Sequence, residues 1–554
     1  MNAVFQPNRL INDLFLKRFC ARDVTLWAET DAEKEEVTHR LDWLDAAHTE
    51  NYTIQIAEAL LDGLISEGFS HAVVLGMGGS SLAPEVFSEV FINPEYKRKN
   101  RLELSILDTT DPEQILEKRK ELPIDKTLFI VSSKSGSTAE VNALEAYFWD
   151  ELKKAGVEKP GSYFIAITDP GTSLEKKGKE KGYRQVILAN PNVGGRFSAL
   201  IEFGLVPAVL MGIDVTRILA QAIKMEISCD NPQCAAENQG VMLGAFLTEA
   251  YQNGRDKLTI IADHELVSMG SWIEQLIAES SGKNGKGILP IDLEPFHDSE
   301  FYGNDRVFVY FSFSDQQAAF IEKLSQSGHP VMTFKISDPY DLGAEFLRWE
   351  IATSVVCALI GVNAFDQSNV QLSKTITQQM IAEIKKNFGF TATDQEAIFR
   401  SDELEVFGEK HSLGNAHNIT DLLNEFLSQL KPGDFIALNA FITRNASFFS
   451  GLQEVREAIT RKTNLATTLG FGPRFLHSTG QLHKGGKNNG YYLIITADGE
   501  NDMEIPGEEM SFGTLQIAQA IGDMRALQQQ NRRVLRLHFK KGKFDPAFLA
   551  KLIA

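Results

Sequence analysis

The chain has 554 residues, with 55 Lys and Arg against 74 Asp and Glu, a formal net charge of −19 at pH 7. Charge of that sign argues against a nucleic-acid or anionic-membrane partner, since both need a basic footprint, but not against an anionic small molecule, whose field is set by a few local cations and dipoles. At roughly 150 residues per domain the length predicts three to four domains, and 43% hydrophobic with 23% charged residues suits globular domains with sizeable cores.

The opening, MNAVFQPNRLINDLF, has no apolar run of signal-peptide length, and no run reaches the ~18 apolar residues of a membrane span. A cytoplasmic protein is the expectation. Cys20, Cys229, Cys234 and Cys357 show no metal-ligand spacing and read as reduced structural thiols.

Residues 1–70 form an N-terminal helical segment by pattern: LINDLFLKRF, ETDAEKEEVTHRLDWL and NYTIQIAEALLDGLISEG repeat apolar residues at three and four. Short strand-like runs then alternate with helical stretches. They are Val73–Leu75, Leu104–Leu107, Leu128–Val131, Phe164–Ile167 and Val186–Leu188. That alternation predicts βαβ units around a parallel sheet over 71–215. The region 216–375 repeats the plan. Leu258–Ala262 matches the first strand, and Val307–Phe311 matches the third. Residues 186–215 and 331–365 both read strand, polar loop with glycine, long apolar helix, then Gly-Ile or Gly-Val. The fold class expected is therefore α/β, with two doubly wound parallel-sheet subdomains from an internal duplication and a C-terminal α/β domain over 376–554. In that last domain, Phe435–Leu438, Tyr492–Ile495 and Val534–Leu537 read as strands and 421–430, 448–461 and 514–529 as helices. The stretch 467–490 reads as a long polar loop.

Two strand-to-helix loops in the first copy carry the chemistry. HAVVLGMGGSSLAPEVF (71–87) has Gly76, Gly78 and Gly79; TLFIVSSKSGSTAEVNALEAYF (127–148) has Ser133, Ser135, Ser137 and Thr138. Such a turn presents backbone N–H groups at a helix N-terminus, which suits an anion and phosphate above all. Glycines permit close approach and the hydroxyls add donors. Neither loop is a nucleotide P-loop, because SSKSGST lacks the Gly-Lys-Ser/Thr ending. In the second copy Ser-Phe-Ser-Asp-Gln follows Phe311 and presents a carboxylate, so the phosphate site is expected in the first copy alone.

GMGGSSLAP, SSKSGSTAE, NVGGRFSAL, AESSGKNGKG and NAFDQSNVQLSK occur in the order found in glucose-6-phosphate isomerases, and over about 70–375 the chain resembles that family. The tail with FGPRFLHSTGQLHKGG looks like the isomerase half of bifunctional transaldolase/glucose-6-phosphate isomerases, with no room for the transaldolase barrel. The resemblance implies two sugar-isomerase (SIS) subdomains, a sugar-phosphate substrate, no metal or cofactor, and reversible aldose–ketose isomerisation in glycolysis and gluconeogenesis. It also implies a homodimer, unless the C-terminal domain supplies in cis the histidine that the family takes from a neighbouring subunit.

Moving a proton between C1 and C2 needs one positioned base. By resemblance this is Glu279, and Arg196 stabilises the enediolate oxygens. Ser133, Ser135 and Thr138, with Lys134 in the same loop, would hold the phosphate. Gly79, Ser80 and Gly195 would line the sugar side. Gln367 and Lys374 fall in the family's last cluster, with Lys374 assisting ring opening. The family's ring-opening histidine should follow Glu279 by a few tens of residues, but only His297 and His329 lie there and neither has the expected context. His483 and His477 are the alternatives, in a Gly-rich loop expected to close over the sugar; a near-neutral imidazole suits the ring-oxygen proton. A non-catalytic sugar-phosphate sensor on the same fold, or an isomerase of another hexose phosphate such as mannose 6-phosphate, are the competing functions.

Overall fold

The computed structural model describes residues 10–49, 51–229, 238–366, 397–409 and 418–554. Gln367, Lys374 and Cys234 lie outside the described residues. The first sheet holds β1 (His71–Gly76), β2 (Glu103–Leu107), β3 (Thr127–Ser132), β4 (Phe164–Thr168) and β5 (Gln185–Leu188), all parallel, in the order β2-β1-β3-β4-β5. The second holds β6 (Lys257–Ala262), β7 (Leu289–Ile291), β8 (Arg306–Ser312) and β9 (Val331–Lys335), again parallel, in the order β7-β6-β8-β9. Both wind alike: the first strand is central, the second lies on one side and the third on the other. Central strands such as TLFIVS and RVFVYFS are buried along their whole length, as a sheet covered on both faces requires.

The duplication is one strand short. β9 closes the second copy as β5 closes the first, but it pairs with β8 as β4 pairs with β3. The likeness of 186–215 to 331–365 is thus a likeness of chain order and not of place in the sheet. The two copies share one continuous core, in which Val74, Ile130 and Ile165 of the first sheet join Leu258 and Val309 of the second. The helix Leu342–Ile360 runs through it buried nearly all round, and the N-terminal helical segment docks on it through Trp27 Nε1, which donates to the Ser354 carbonyl at 2.7 Å.

The third sheet is mixed. β10 (Phe399–Arg400), β11 (Leu404–Phe407), β12 (Phe435–Phe441), β13 (Ala466–Phe471), β14 (Gly490–Ala497) and β15 (Arg533–Phe539) take the order β10-β11-β15-β14-β12-β13, with β10 and β11 antiparallel. One face is apolar, with Leu438, Ile495 and Leu537 under the C-terminal domain's own helices. The opposite face turns toward the first sheet and carries the helix Phe512–Gln529. Gln516 Nε2 there donates to Asp111 at 3.1 Å, and Thr110 Oγ1 donates to Gln519 Oε1 at 2.8 Å.

The stretch 467–490 is no loose loop. It forms the end of β13, a 3₁₀ turn over Arg474–His477 and the short helix Gly480–Gly485, whose residues through Lys484 are buried. Two of the charged residues that made it read as surface are paired inside the fold. Arg474 forms ion pairs with Glu85 and, at 2.7 Å, with Asp108, and Lys484 reaches Asp523 at 2.5 Å. Burial alone would raise the Glu85 carboxyl, but the Arg474 guanidinium holds it below the usual carboxylate range.

Candidate active site

The loops from the first copy meet the second copy's base-bearing helix where the C-terminal domain presses down. After β1 the chain turns at Gly78, with φ +56°, where an added Cβ would stand 2.7 Å from Gln275 Nε2 and 3.0 Å from the His477 carbonyl oxygen. At Gly79 a Cβ would fall 1.8 Å from the Gly195 carbonyl oxygen. No side chain fits there, so GMGG and VGGRF approach backbone to backbone. Ser80 is buried beside them, while Gly195 faces open space on its own Cβ side.

Glu279 sits near the end of the helix Met269–Ser281 and is 5% exposed. Its Oε1 accepts from Arg196 Nη1 at 3.1 Å, and its Oε2 accepts from Gln275 Nε2 at 3.1 Å. Gln275 lies one helical turn before Glu279 on the same face, a spacing of four that the sequence displayed without its meaning. Arg196, 1% exposed, is fixed on its other edges by the Ser280 hydroxyl at 2.7 Å and by the carbonyls of Ala364 at 2.5 Å and Asp366 at 3.2 Å. A buried guanidinium so locked presents a fixed planar cation beside the carboxylate.

Lys283 was not singled out by sequence. Its ammonium donates to the carbonyls of Asn363 at 2.5 Å and Asp366 at 2.8 Å and pairs with the Asp366 carboxylate. Burial, helped by the nearby Arg196 charge, pulls it down to about 8. Arg196 and Lys283 together pin the turn that leads toward Gln367 and Lys374.

In the hydroxyl loop, Ser133 Oγ and Thr138 Oγ1 pair at 2.9 Å, and Ser135 Oγ and Ser137 Oγ at 3.1 Å. The helix Ala139–Lys154 begins next, so hydroxyls and first-turn amides share one end of the element. Lys134 is committed elsewhere: its ammonium pairs with Asp169 at 2.7 Å. Burial lowers the Lys134 ammonium and raises the Asp169 carboxyl, each against the pull of the other.

The four histidines separate clearly. His297 and His329 flank Tyr302 in the second subdomain, and burial lowers both. His483 is 1% exposed among Phe435, Phe475 and Tyr492; neither ring nitrogen has a hydrogen-bond partner, and burial drives its pKa well below the ordinary value. It is a core ring, and the expectation that it reaches the sugar from a closing loop is not met. Its helix lies instead against the end of the Glu279 helix, with Gln481 Nε2 donating to the Gly282 carbonyl at 3.0 Å.

His477 is the one brought in. Its carbonyl accepts from Gln275 Nε2 at 2.8 Å, and its Nε2 stands 3.1 Å from Glu140 Oε1, in the first turn after the hydroxyl loop. Glu140 also accepts from Gln519 Nε2 at 2.7 Å. Glu140 ends the motif SSKSGSTAE, but its partner lies 337 residues away. The site thus assembles a buried carboxylate, a locked guanidinium, a hydroxyl-lined helix start and a carboxylate-paired imidazole.

The comparisons with known proteins agree with this architecture. Residues 34–288 match the family model of phosphoglucose isomerase. The glucose-6-phosphate isomerase of Carboxydothermus hydrogenoformans is 25% identical over 390 residues, covering 60% of this chain and 82% of that protein. Among solved structures, a hypothetical protein from Thermus thermophilus superposes with a TM-score of 0.57 at 22% identity, over 69% of this chain and 99% of that one. A glucose-6-phosphate isomerase from Chlamydia trachomatis gives 0.55 at 19% identity, over 68% of this chain and 87% of that one. These two likenesses speak for the fold: paired SIS-type subdomains. Among the described residues no helix is long and apolar enough to cross a membrane. Through the matched segment, its motifs and this fold, the chain is similar to the phosphoglucose isomerase family over residues 34–288.

Proposed function

We propose that the protein interconverts glucose 6-phosphate and fructose 6-phosphate through an enediolate, the step shared by glycolysis and gluconeogenesis. The observation that carries this reading is Glu279, a buried carboxylate held between Arg196 and Gln275 at 3.1 Å each, beside the meeting of GMGG and VGGRF. Bound by one donor at each oxygen, it keeps lone pairs for a proton and is held in place. It takes the proton from C2 of the open-chain aldose and returns it to C1. Arg196 stabilises the negative charge that develops on the O1–O2 edge. The Ser133–Thr138 loop and the first amides of the Ala139–Lys154 helix hold the phosphate.

Ring opening falls to His477, with Glu140 fixing its orientation. The imidazole moves the proton on the ring oxygen. In this reading the C-terminal domain supplies in cis the histidine that the family draws from a neighbouring subunit, so one chain holds the base, the cation and the ring-opening group. Gln367 and Lys374 remain proposed contacts by resemblance alone.

The test is a coupled assay of the purified protein with fructose 6-phosphate and glucose 6-phosphate, without added metal. Turnover that Glu279→Gln abolishes supports the reading. A protein that binds both sugars without converting them is a sensor, and a marked preference for mannose 6-phosphate moves the assignment to another hexose phosphate.

A further inference from the structure

A second cleft, of about 820 Å³, opens at the C-terminal ends of β12 and β14 in the C-terminal domain, between that sheet and the start of the helix Pro112–Glu121. Its place follows from the winding of the sheet. From β12 the chain goes to β13 on one side and then returns to β14 on the other. The strand order therefore reverses between β12 and β14, where open α/β sheets take their ligands. The volume is that of a small-molecule site.

The wall of the cleft contains a cation that the fold leaves unmatched. Arg536 lies in the middle of β15, opposite Phe407 on one side and Ile494 on the other, on the sheet face turned toward the first subdomain. It is 7% exposed. Its guanidinium stacks 3.9 Å over the Phe407 ring, Nη1 reaches Thr496 Oγ1 at 3.3 Å, and Nε has no hydrogen-bond partner. Among the described residues it forms no ion pair. Burial brings it down to about 10, with Glu405 pulling the other way, so it stays charged at neutral pH.

Most carboxylates lining the cleft have other partners. Glu405 pairs with Arg400 at 3.5 Å, Asp498 with His538 at 3.2 Å and Glu500 with Lys541 at 3.7 Å. Asp111 accepts from Gln516, Asp502 from the Gly513 amide at 2.8 Å and Glu113 from the Asn501 amide at 2.7 Å; Glu117 lines the cleft as well. A desolvated guanidinium without a counter-charge is costly to the fold, and natural proteins keep such groups where a ligand completes them. Opposite it the cleft is apolar, with Phe441, Phe448, Phe544, Ile517 and Ile521.

We propose that this cleft is a second ligand site, separate from the Glu279 site, which binds a small organic anion: an apolar body against the phenylalanines and a carboxylate or phosphate monoester on Arg536. A planar guanidinium recognises either oxyanion in a two-pronged pairing, and both sources share that chemistry.

The experiment titrates the full chain by calorimetry with benzoate, phenyl phosphate and, as the neutral control, benzyl alcohol. The proposal expects one saturable site for at least one of the two anions and none for the alcohol; the anion that binds identifies the source. In Arg536→Met the affinity should fall at least about tenfold. Because that change removes an unmatched buried charge, the melting temperature should stay level or rise. Ile521→Trp fills the cleft with Arg536 intact, should also abolish binding, and decides the matter if the arginine variant does not fold. The double variant Ser135→Ala/Thr138→Ala should bind as the wild type does. Absence of saturable binding of either anion up to ~10 mM overturns the proposal. So does binding that survives both cleft variants or that the hydroxyl-loop variant removes. A lowered melting temperature with unchanged affinity in Arg536→Met assigns the arginine to the fold and overturns it equally.

Discussion

The two copies of the duplicated subdomain build the same turn after their third strand and treat it in opposite ways. In the second copy, Asp263, one residue beyond β6, places Oδ2 on the amides of Phe313 at 2.8 Å and Ser314 at 2.7 Å, while the Tyr310 hydroxyl donates to Oδ1 at 2.6 Å. Burial alone would raise this carboxyl, but the Tyr310 hydroxyl and the two amides hold it below the usual range. The turn carries its own anion. In the first copy the register is the same, since Gly76 pairs with Ser132 as Ala262 pairs with Phe311, but the residue beyond the strand is Met77. A thioether has no charge to offer the turn, and by the same register Lys134 and Gly136 stand where the second copy has Phe313 and Asp315. One duplication has thus left a turn that can take an anion from outside and a turn whose anion is built in. The second copy contributes its helix instead, with Gln275 and Glu279, and Lys283 just beyond its end.

If labour is divided in this way, variants in the two copies should split between turnover and binding. The largest effect is expected from Glu279→Gln, a fall in kcat of at least about 10²-fold with little change in KM, read in steady-state kinetics. Near-wild-type turnover would move the base out of the second copy. Next comes His477→Ala, which should slow turnover of the cyclic sugar phosphates by ~10–10²-fold while sparing proton exchange from an open-chain substrate, followed by NMR in deuterated water. Glu140→Gln should follow in the same direction and more weakly, whereas His483→Ala should change the melting temperature and leave that ratio alone.

Ser135→Ala and Thr138→Ala should each remove a hydrogen bond to a dianion, about 1.5–3 kcal/mol, and appear mainly as a raised KM. A change in melting temperature alone would make the first turn as structural as the second. The smallest effect belongs to the second copy. Asp263→Asn should leave kcat and KM unchanged and cost about 1 kcal/mol of stability. Because the folded carboxyl lies below its unfolded value of about 3.9, its contribution is present above that pH and disappears as pH falls through the folded pKa. The melting difference between wild type and variant should therefore close on acidification.

Much of this was legible in the chain. Parallel strands covered on both faces need apolar residues without interruption, so VVL, LFIV and IAI announced themselves and fell in the first sheet in sequence. The hydroxyl loop was visible for a similar reason: a strand end, small polar residues and a helix start are neighbours along the backbone. Reading 467–490 as a loop failed because the partners that satisfy its charges, Glu85 and Asp108 for Arg474, are hundreds of residues away. The choice between His477 and His483 failed likewise. They are six residues apart in one Gly-rich stretch, and only the docking of the C-terminal domain puts one beside Glu140 and the other among aromatic rings.

The sequence by itself determined the five strands of the first sheet and the repeat of their plan in the second, and by motif it singled out the hydroxyl loop, Glu279 and Arg196 as site candidates. These rest on steric and hydrophobic patterns that repeat over a few residues, or on short segments whose order survives. The tertiary structure alone decided which histidine meets the site, that Gln275 and Lys283 complete it, that Asp263 fills the second copy's turn, and that Arg536 ends in a cleft without a counter-charge. Each of those depends on which surfaces dock, and a local pattern carries no record of what will press against it.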